Sequence, residues 1–414
     1  MNKIELLAPA GDLEKLKIAI LYGADAVYFG GEAFSLRAGA GNLTIEEMRE
    51  GIDFAHEKGR RCYLTLNIYA HNEDIAPLKA YLEEIRSLKI DAFLVSDPGV
   101  MSLLKEIIPE AEIHLSTQAN MTNYVTARFW YDLGVRRLVL ARELSLEEIR
   151  KIRTEIPEEM ELESFVHGAM CISYSGRCLL SNYMTGRDAN RGACAHPCRY
   201  RYALMEEQRP GEYFPVEEDE RGTYIMNSKD LCMIRHIPDL VQAGIGSAKI
   251  EGRMKSIYYV ATIVHAYRQA IDAFYADPEG YVFREEWMQE LEKASHRAFT
   301  TGFYYGKAVG DSQNYETSKY IKDYSFVGLV TGYDPATGLA EVEQRNKMVL
   351  GEKIELFGPN MDGFSQVLTE MYDAETGAPL EAAPHPQQKL KIRVEQKVSP
   401  FCMLRKKTEK ELRK

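Results

Sequence analysis

No stretch of this 414-residue chain comes near the roughly 18 uninterrupted apolar residues that a membrane-crossing helix needs, so no membrane partner is expected. Met1-Asn2-Lys3-Ile4-Glu5-Leu6 runs straight into a strand-like pattern, with no charged segment followed by an apolar one. That pattern points to a cytoplasmic protein that is not exported. Cysteines occur in no C-x2-C pair and no zinc-finger His spacing follows them, which removes zinc ribbons and fingers. Gly-x-Ser-x-Gly and His-Glu-x-x-His are both missing, so neither a serine-hydrolase elbow nor a zinc-protease helix can be read. Positive charge is not in excess either: 51 basic residues against 62 acidic ones give a net charge of −11. A protein that coats nucleic acid nonspecifically is excluded, though a local basic surface is not.

Cysteine is scarce and concentrated. Of seven, Cys171, Cys178, Cys194, Cys198 and Cys232 fall within one 62-residue stretch, while Cys62 and Cys402 lie far away in apolar sequence. An odd total argues against a simple disulfide framework, and a reducing compartment favours metal ligation. The spacing C-x6-C-x15-C-x3-C, followed by Cys232, suits soft ligands converging from several backbone segments on a [4Fe–4S] cluster, with zinc as the alternative. Five candidates for four places leave Cys198 and Cys232 competing for the last one.

Short apolar runs alternate with helical patterns through the first 275 residues or so. Ile4–Ala8, Asp25–Phe29, Cys62–Leu66, Asp91–Val95, Glu112–Leu115, Arg137–Leu140, Glu161–Val166 and Ser247–Ile250 read as eight strands. Strands separated by helices pair in parallel, and eight such units predict a closed (β/α)8, TIM-like barrel. From Phe326 the pattern changes to short β runs with turn-rich breaks, which predicts a small all-β barrel. The expected organisation is a barrel over residues 1–278 with a cysteine-bearing insertion at 167–229 after the seventh strand. A helical linker over 279–325, a β-barrel domain over 326–404 and a basic tail over 405–414 follow. Within the insertion a hairpin is expected, with arms at Arg199–Met205 and Thr223–Met226, and Cys232 is placed about one turn into the following helix.

In such a barrel the residues just after each strand face the active site. Arg142 there would clamp a carboxylate or phosphate beside Glu143. Lys249, Glu251 and Arg253 alternate at the end of the last strand and are expected to share a facing that suits an anionic ligand. Gln118 and Asn120 are placed to hydrogen-bond a base edge or cofactor. His167, four residues before Cys171, could pair with that cysteine or orient substrate. His114 reads as a core histidine. Arg187, Arg191, Arg199 and Arg201 offer phosphate contacts near the cysteines. Gly30-Gly31 and Gly39-Ala40-Gly41 are too irregular for a phosphate loop.

These residues fall into longer blocks. Glu163-Ser164-Phe165-Val166-His167-Gly168-Ala169-Met170-Cys171, continuing through Tyr174-Ser175-Gly176-Arg177-Cys178-Leu179-Leu180-Ser181, resembles the signature of the collagenase-like peptidase family U32. So do Leu6-Leu7-Ala8-Pro9-Ala10-Gly11, His114-Leu115-Ser116-Thr117-Gln118-Ala119-Asn120, Met226-Asn227-Ser228-Lys229-Asp230-Leu231 and Lys249-Ile250-Glu251-Gly252-Arg253. Within the family the chain looks most like the branch of tRNA hydroxylation proteins. The resemblance implies a role in 5-hydroxylation of the wobble uridine of tRNA, dependent on prephenate and on a cysteine-ligated [4Fe–4S] cluster. It also implies cluster-assembly or electron-donor proteins as partners. Cys171, Cys178, Cys194 and Cys232 match the ligand pattern of a quinone-hydroxylating branch, whereas Cys198 matches a cysteine of tRNA-branch relatives. Two other expectations stand beside it: proteolysis, from the family name, and a non-enzymatic cluster-binding partner of a hydroxylase.

Overall fold

The computed structural model describes residues 3–35, 41–170, 180–187, 189, 194–197, 203–204, 214–215, 229–306, 320–359 and 361–408. Its first part alternates strands and helices: β1 (Glu5–Pro9), α1 (Leu13–Leu21), β2 (Ala26–Phe29), α2 (Ile45–Glu57), β3 (Arg61–Leu66), α3 (Ile75–Ile85), β4 (Ala92–Val95) and α4 (Pro98–Ile107). Next come β5 (Ile113–Leu115), α5 (Tyr124–Asp132), β6 (Arg137–Val139), α6 (Leu146–Glu155), β7 (Glu161–Ala169) and α7 (Leu180–Thr185). The short strands β8 (Ala203–Leu204), β9 (Phe214–Pro215) and β10 (Asp230–Cys232) precede α8 (Ile237–Gln242), β11 (Ser247–Ile250) and α9 (Ile257–Ala276). Strands β1 to β7 pair in parallel in chain order, and β11 closes the ring by pairing with both β7 and β1. This is the eight-stranded parallel TIM-like barrel that the alternation predicts.

Local chemistry starts each helix where the sequence allows it. Asp12, Thr44, Asp97, Asn123, Ser145 and Ser256 are N-caps whose side chains accept backbone N–H groups of the first turn. Thr44 with Glu47 and Ser145 with Glu148 complete reciprocal capping boxes. The strands are buried on both faces, as a helix-covered parallel sheet requires.

The floor of the barrel is polar. Arg137, 1% exposed, lies 2.5 Å from Glu5 and 3.3 Å from Glu163 through Nη1 and donates to Glu161 through Nε at 2.7 Å. Lys249 pairs with Glu163 at 2.7 Å, and Ser247 Oγ bridges Glu5 and Glu163. Tyr63 donates to Glu5 at 2.7 Å. His114, fully buried, meets Glu112 at 2.9 Å and sets its ring edge-on to Tyr63, as a core histidine would.

Beyond the barrel lie α10 (Glu285–Lys293), β12 (Phe299–Thr300), β13 (Tyr324–Asp334), β14 (Leu339–Gln344), β15 (Met348–Val349), β16 (Lys353–Gly358), β17 (Met361–Val367), β18 (Met371–Asp373), β19 (Ala382–Ala383), β20 (Lys389–Arg393) and β21 (Met403–Lys407). The antiparallel order β17-β16-β21-β13-β14-β20-β18 encloses a second core. Where no ladder joins its ends, Gln366 donates to Arg393 O at 2.7 Å and accepts from Glu395 N at 3.0 Å, which brings β17 round to the end of β20.

Three local expectations change. Cys232 was placed about one turn into a helix, but Asp230–Cys232 is strand, antiparallel to β7 and parallel to β12, with the Asp230 carboxylate accepting Arg297 N–H. This pairing outweighs a helical pattern that then runs only from Ile237 to Gln242. Ala203–Leu204 pairs with Phe214–Pro215, inside the stretch expected to be the hairpin's loop; the arm proposed at Thr223–Met226 lies outside the described residues. The basic segment from Arg405 begins as a strand and not as a tail. Arg405 is 2% exposed and held by Glu290 and Glu355, acids distant in sequence, and Lys406 pairs with Glu352. No helix among the described residues is long and apolar enough to cross a membrane.

Burial alone would lift the Glu163 carboxyl, but Lys249 and Arg137 beside it hold it below the ordinary value of 4.5. Its contribution to stability is therefore complete above pH 4.5 and is lost as the pH falls through the lower folded-state value. Glu163→Gln, which strips Lys249 of its buried partner, is expected to lower stability by about 3–5 kcal/mol at pH 7. Denaturant unfolding at pH 7 and pH 3 should show the gap between variant and parent narrowing in acid; a constant gap would contradict the assignment.

Candidate active site at the barrel mouth

Strand β7 is the longest strand of the barrel and organises its mouth. Its lower part pairs with β6 and β11, while His167–Ala169 overhang the rim and pair with β10. The register shifts at the bulge opposite Lys249 and Ile250. Below the bulge, Phe165 offers its ring to two cations: Arg142 Cζ lies 3.9 Å from its centroid and Lys249 Nζ 5.6 Å. The Arg142 guanidinium also donates to Ala169 O at 2.8 Å. Lys249 Nζ is 4.3 Å from the Tyr28 centroid. Arg142 and Lys249 are thus brought together around one ring, and Glu143 follows Arg142 on the same turn. Burial lifts the Glu143 carboxyl above its ordinary value, with Arg142 working against it.

Arg253 stands on the opposite side of the mouth, 4% exposed. It donates to Ser35 Oγ at 2.8 Å, Thr65 Oγ1 at 3.3 Å and Asn42 Oδ1 at 2.6 Å. Its guanidinium crosses Gly30 so closely that a Cβ there would collide with Nη2. Gly30, one of the glycines that fail as a phosphate loop, therefore makes room for this arginine.

Glu251 departs from the shared facing expected of it. The strand ends at Ile250, Gly252 takes φ +155°, and Glu251 lines a separate cavity with Lys255 and Tyr259. His167 also lies away from the mouth. The bulge turns it toward α9, where it packs against Tyr259, Tyr267 and Phe299 with 1% exposure. Burial, with His296 and Lys255 nearby, pushes its imidazole down to about 3, so it is neutral at physiological pH. Gln118 sits on the turn after β5, its backbone carbonyl accepting Tyr69 OH at 2.6 Å and Asn120 Nδ2 at 2.9 Å. Gln118 Oε1 is buried and has no hydrogen-bond partner among the described residues, an acceptor that a ligand N–H would satisfy. Asn120 takes the left-handed conformation, φ 53°, that ends this turn.

Of the five clustered cysteines, Cys171, Cys178 and Cys198 lie outside the described residues, as do Arg191, Arg199 and Arg201. Arg187 is described and exposed. Cys194 is half-buried and its sulfur accepts His196 N–H at 3.4 Å. Cys232 stands on β10 opposite His167, and burial pushes its thiol up to about 11. Among the described residues no three His, Cys, Asp or Glu side chains converge on a metal position. The donor chemistry present at Cys194 fits a thiolate-ligated centre.

The sequence does not single out Ser181 as a clamp. This fully buried hydroxyl donates to Arg187 O at 2.7 Å and accepts Ala195 N–H at 2.9 Å, pinning the stretch beside Cys194 to α7. Nor does it pick out Phe165, Tyr28, Ser35, Thr65 or Asn42. Glu163 has a signal in the alternation Glu161-Leu162-Glu163-Ser164-Phe165, where an acid takes an inward position of a strand buried on both faces.

A barrel whose mouth carries Arg142 and Arg253, and whose seventh connection holds the sequence cluster of cysteines, defines a TIM-barrel protein with a cationic mouth beside a cysteine-bearing segment. Residues 11–314 match peptidase family U32 and residues 322–405 match the peptidase family U32 C-terminal domain, and the chain belongs to that family. It is 44% identical over 405 residues to tRNA hydroxylation protein P1 of Bacillus subtilis, covering 98% of this chain and 95% of that one. With tRNA hydroxylation protein P of Escherichia coli it shares 41% over 402 residues, 87% of each chain. With a protein of Porphyromonas gingivalis named collagenase it shares 33% over 412 residues, 97% of each.

Ser181→Ala removes both hydrogen bonds of the clamp and is expected to loosen the Cys194 stretch. The measurement is backbone hydrogen exchange at Ala195 and His196, which should speed at least tenfold while the barrel strands keep their protection. Unchanged exchange there would show that Ser181 does not hold the segment.

Proposed function

We propose that this chain is a tRNA-modifying protein required for 5-hydroxylation of the wobble uridine. The observation that carries this reading is the near end-to-end similarity, at 44% and 41% identity, to two proteins named for tRNA hydroxylation. The chemistry of the mouth agrees with it. Arg142 and Arg253 are cations on its wall, and a dicarboxylate such as prephenate is the kind of co-substrate they would orient. Gln118 Oε1, lacking a donor, suits the N3–H of a uracil drawn out of its stack. Glu143, lifted toward its neutral form by burial, can hold or release a proton at the rim. Phe165 and Tyr28 exclude water from the floor, where Lys249 and Glu163 neutralise each other.

Cys171, Cys178 and Cys194, with Cys198 or Cys232, would hold a [4Fe–4S] cluster, which when bound supplies one-electron redox chemistry next to the mouth. Electron-donor or cluster-assembly proteins are the partners this implies. Proteolysis is the second reading, favoured by the collagenase relative. Against it stands the position of His167, enclosed by three rings and neutral, where a cysteine's base should be free to exchange its proton.

Nucleoside mass spectrometry of tRNA from cells lacking the chain should show loss of 5-hydroxyuridine derivatives, restored by the parent gene. Arg142→Ala should restore less than a tenth of it. A full level of the modification without the chain would refute the proposal, and cleavage of denatured collagen abolished by Cys171→Ala would favour the peptidase. Anaerobically purified protein is expected to carry about four irons and four sulfides. Chelation should remove them and abolish hydroxylation. One zinc per chain, with no iron, would remove the cluster from the proposal.

A further inference from the structure

Outside the rim, between the overhanging end of β7, the stretch beside Cys194 and the approach to β13, lies a cavity of about 650 Å³ that the barrel mouth does not use. Ala169, Ala195 and His196 form one side; Lys255, Arg297, Tyr320 and Lys322 line the rest, with Glu251 as the acid in its wall. We propose that this cleft grips the sugar-phosphate backbone of the RNA substrate, beside the nucleotide that enters the barrel. The proposal rests on the tRNA reading above and names where the strand runs.

Charge is the first argument. Three cations face one acid, in a chain whose net charge is −11. Arg297 has Asp230 3.8 Å away, but no carboxylate among the described residues pairs with Lys255 or Lys322. Aromatic rings hold Lys255 and Arg297. Lys255 Nζ lies 4.0 Å from the Tyr320 centroid and 5.1 Å from that of Tyr259, and Arg297 Cζ lies 4.3 Å from Tyr320. A ring fixes a cation in place without neutralising it, so the positive charge of Lys255 remains available to an anion, as does that of Lys322. A carboxylate partner would have consumed it.

The helix behind the cleft adds to this field. Ser256 caps α9, whose 20 residues align their peptide dipoles with the positive end at Lys255 and Ser256. Tyr320 already carries two cations on its ring, so recognition here is by charge and not by base stacking. Such contacts set the register of a strand and carry no sequence information. The cleft adjoins the cysteine stretch at Ala195 and His196, so a strand lying in it would pass the segment that holds Cys194.

The test uses the whole protein, an unmodified tRNA with uridine at the wobble position, and fluorescence anisotropy over a salt series. Lys255→Gln with Lys322→Gln should weaken binding about tenfold, flatten the slope of log affinity against log salt by about 1–2, and leave the thermal transition in place. Should the double variant unfold, Lys322→Gln alone carries the test, since Lys322 is exposed; about threefold weaker binding is then expected. Lys79→Gln, on the distant helix α3, should bind as the parent does. Parent-like affinity and slope in the cleft variants would overturn the proposal while leaving the tRNA reading intact. Failure of the parent protein itself to bind tRNA would overturn both.

Discussion

Arg137 is the residue on which the barrel turns. A guanidinium at the floor of a closed ring of strands cannot be left without counter-charge, because the loss of hydration costs several kcal/mol per ion. Glu5 from β1 and Glu163 from β7 supply that charge, and Lys249 from β11 balances the second acid. Two buried anions and two buried cations thus sit on four strands that include the closure of the ring. A hydrophobic floor would pack as well and could be more stable. Ion pairs of fixed partnership specify which strands meet, since a slip of one residue would turn every charge toward the apolar outer layer.

The same arrangement sets the character of the mouth. Glu163 consumes the charge of Lys249 below, so the cations left nearer the opening are Arg142 and Arg253. Arg142 lies on Phe165, two residues along β7 from Glu163, and Arg253 is held by hydroxyl and amide groups, not by an acid, in every hydrogen bond given above. The paired charges lie on the floor, and the two guanidinium groups lie above them, nearer the opening.

Much of the fold could be read from the chain because its periodicity is local: eight apolar runs, each followed by a helical pattern, fixed the barrel. The positions of Arg142 and Lys249 followed from strand ends. Asp230–Cys232 was misread because its strand pairing depends on β7 and β12, far away in sequence, and no local pattern reports that. His167 was expected at the mouth because it follows directly on a strand run; a bulge within β7, opposite Lys249 and Ile250, reversed its direction. Glu251 was separated from Lys249 and Arg253 by a glycine backbone that ended the alternation. Arg405 looked like the start of a solvated basic run because its acids, Glu290 and Glu355, are 115 and 50 residues away. Chemistry assembled by tertiary contact leaves little trace in spacing.

The place of β21 has a consequence for how the molecule is made. It lies between β16 and β13 in the interior of the antiparallel sheet, although it is the latest of those strands in chain order. Until translation has passed residue 407, β13 and β16 have no common neighbour and Glu290 lacks its guanidinium. During synthesis the barrel can form its ring while the second unit waits open, with the inner edges of two strands exposed. A ribosome stalled before Met403 would leave a finished barrel attached to an unfinished, sticky sheet, the kind of substrate that chaperones and quality-control proteases recognise.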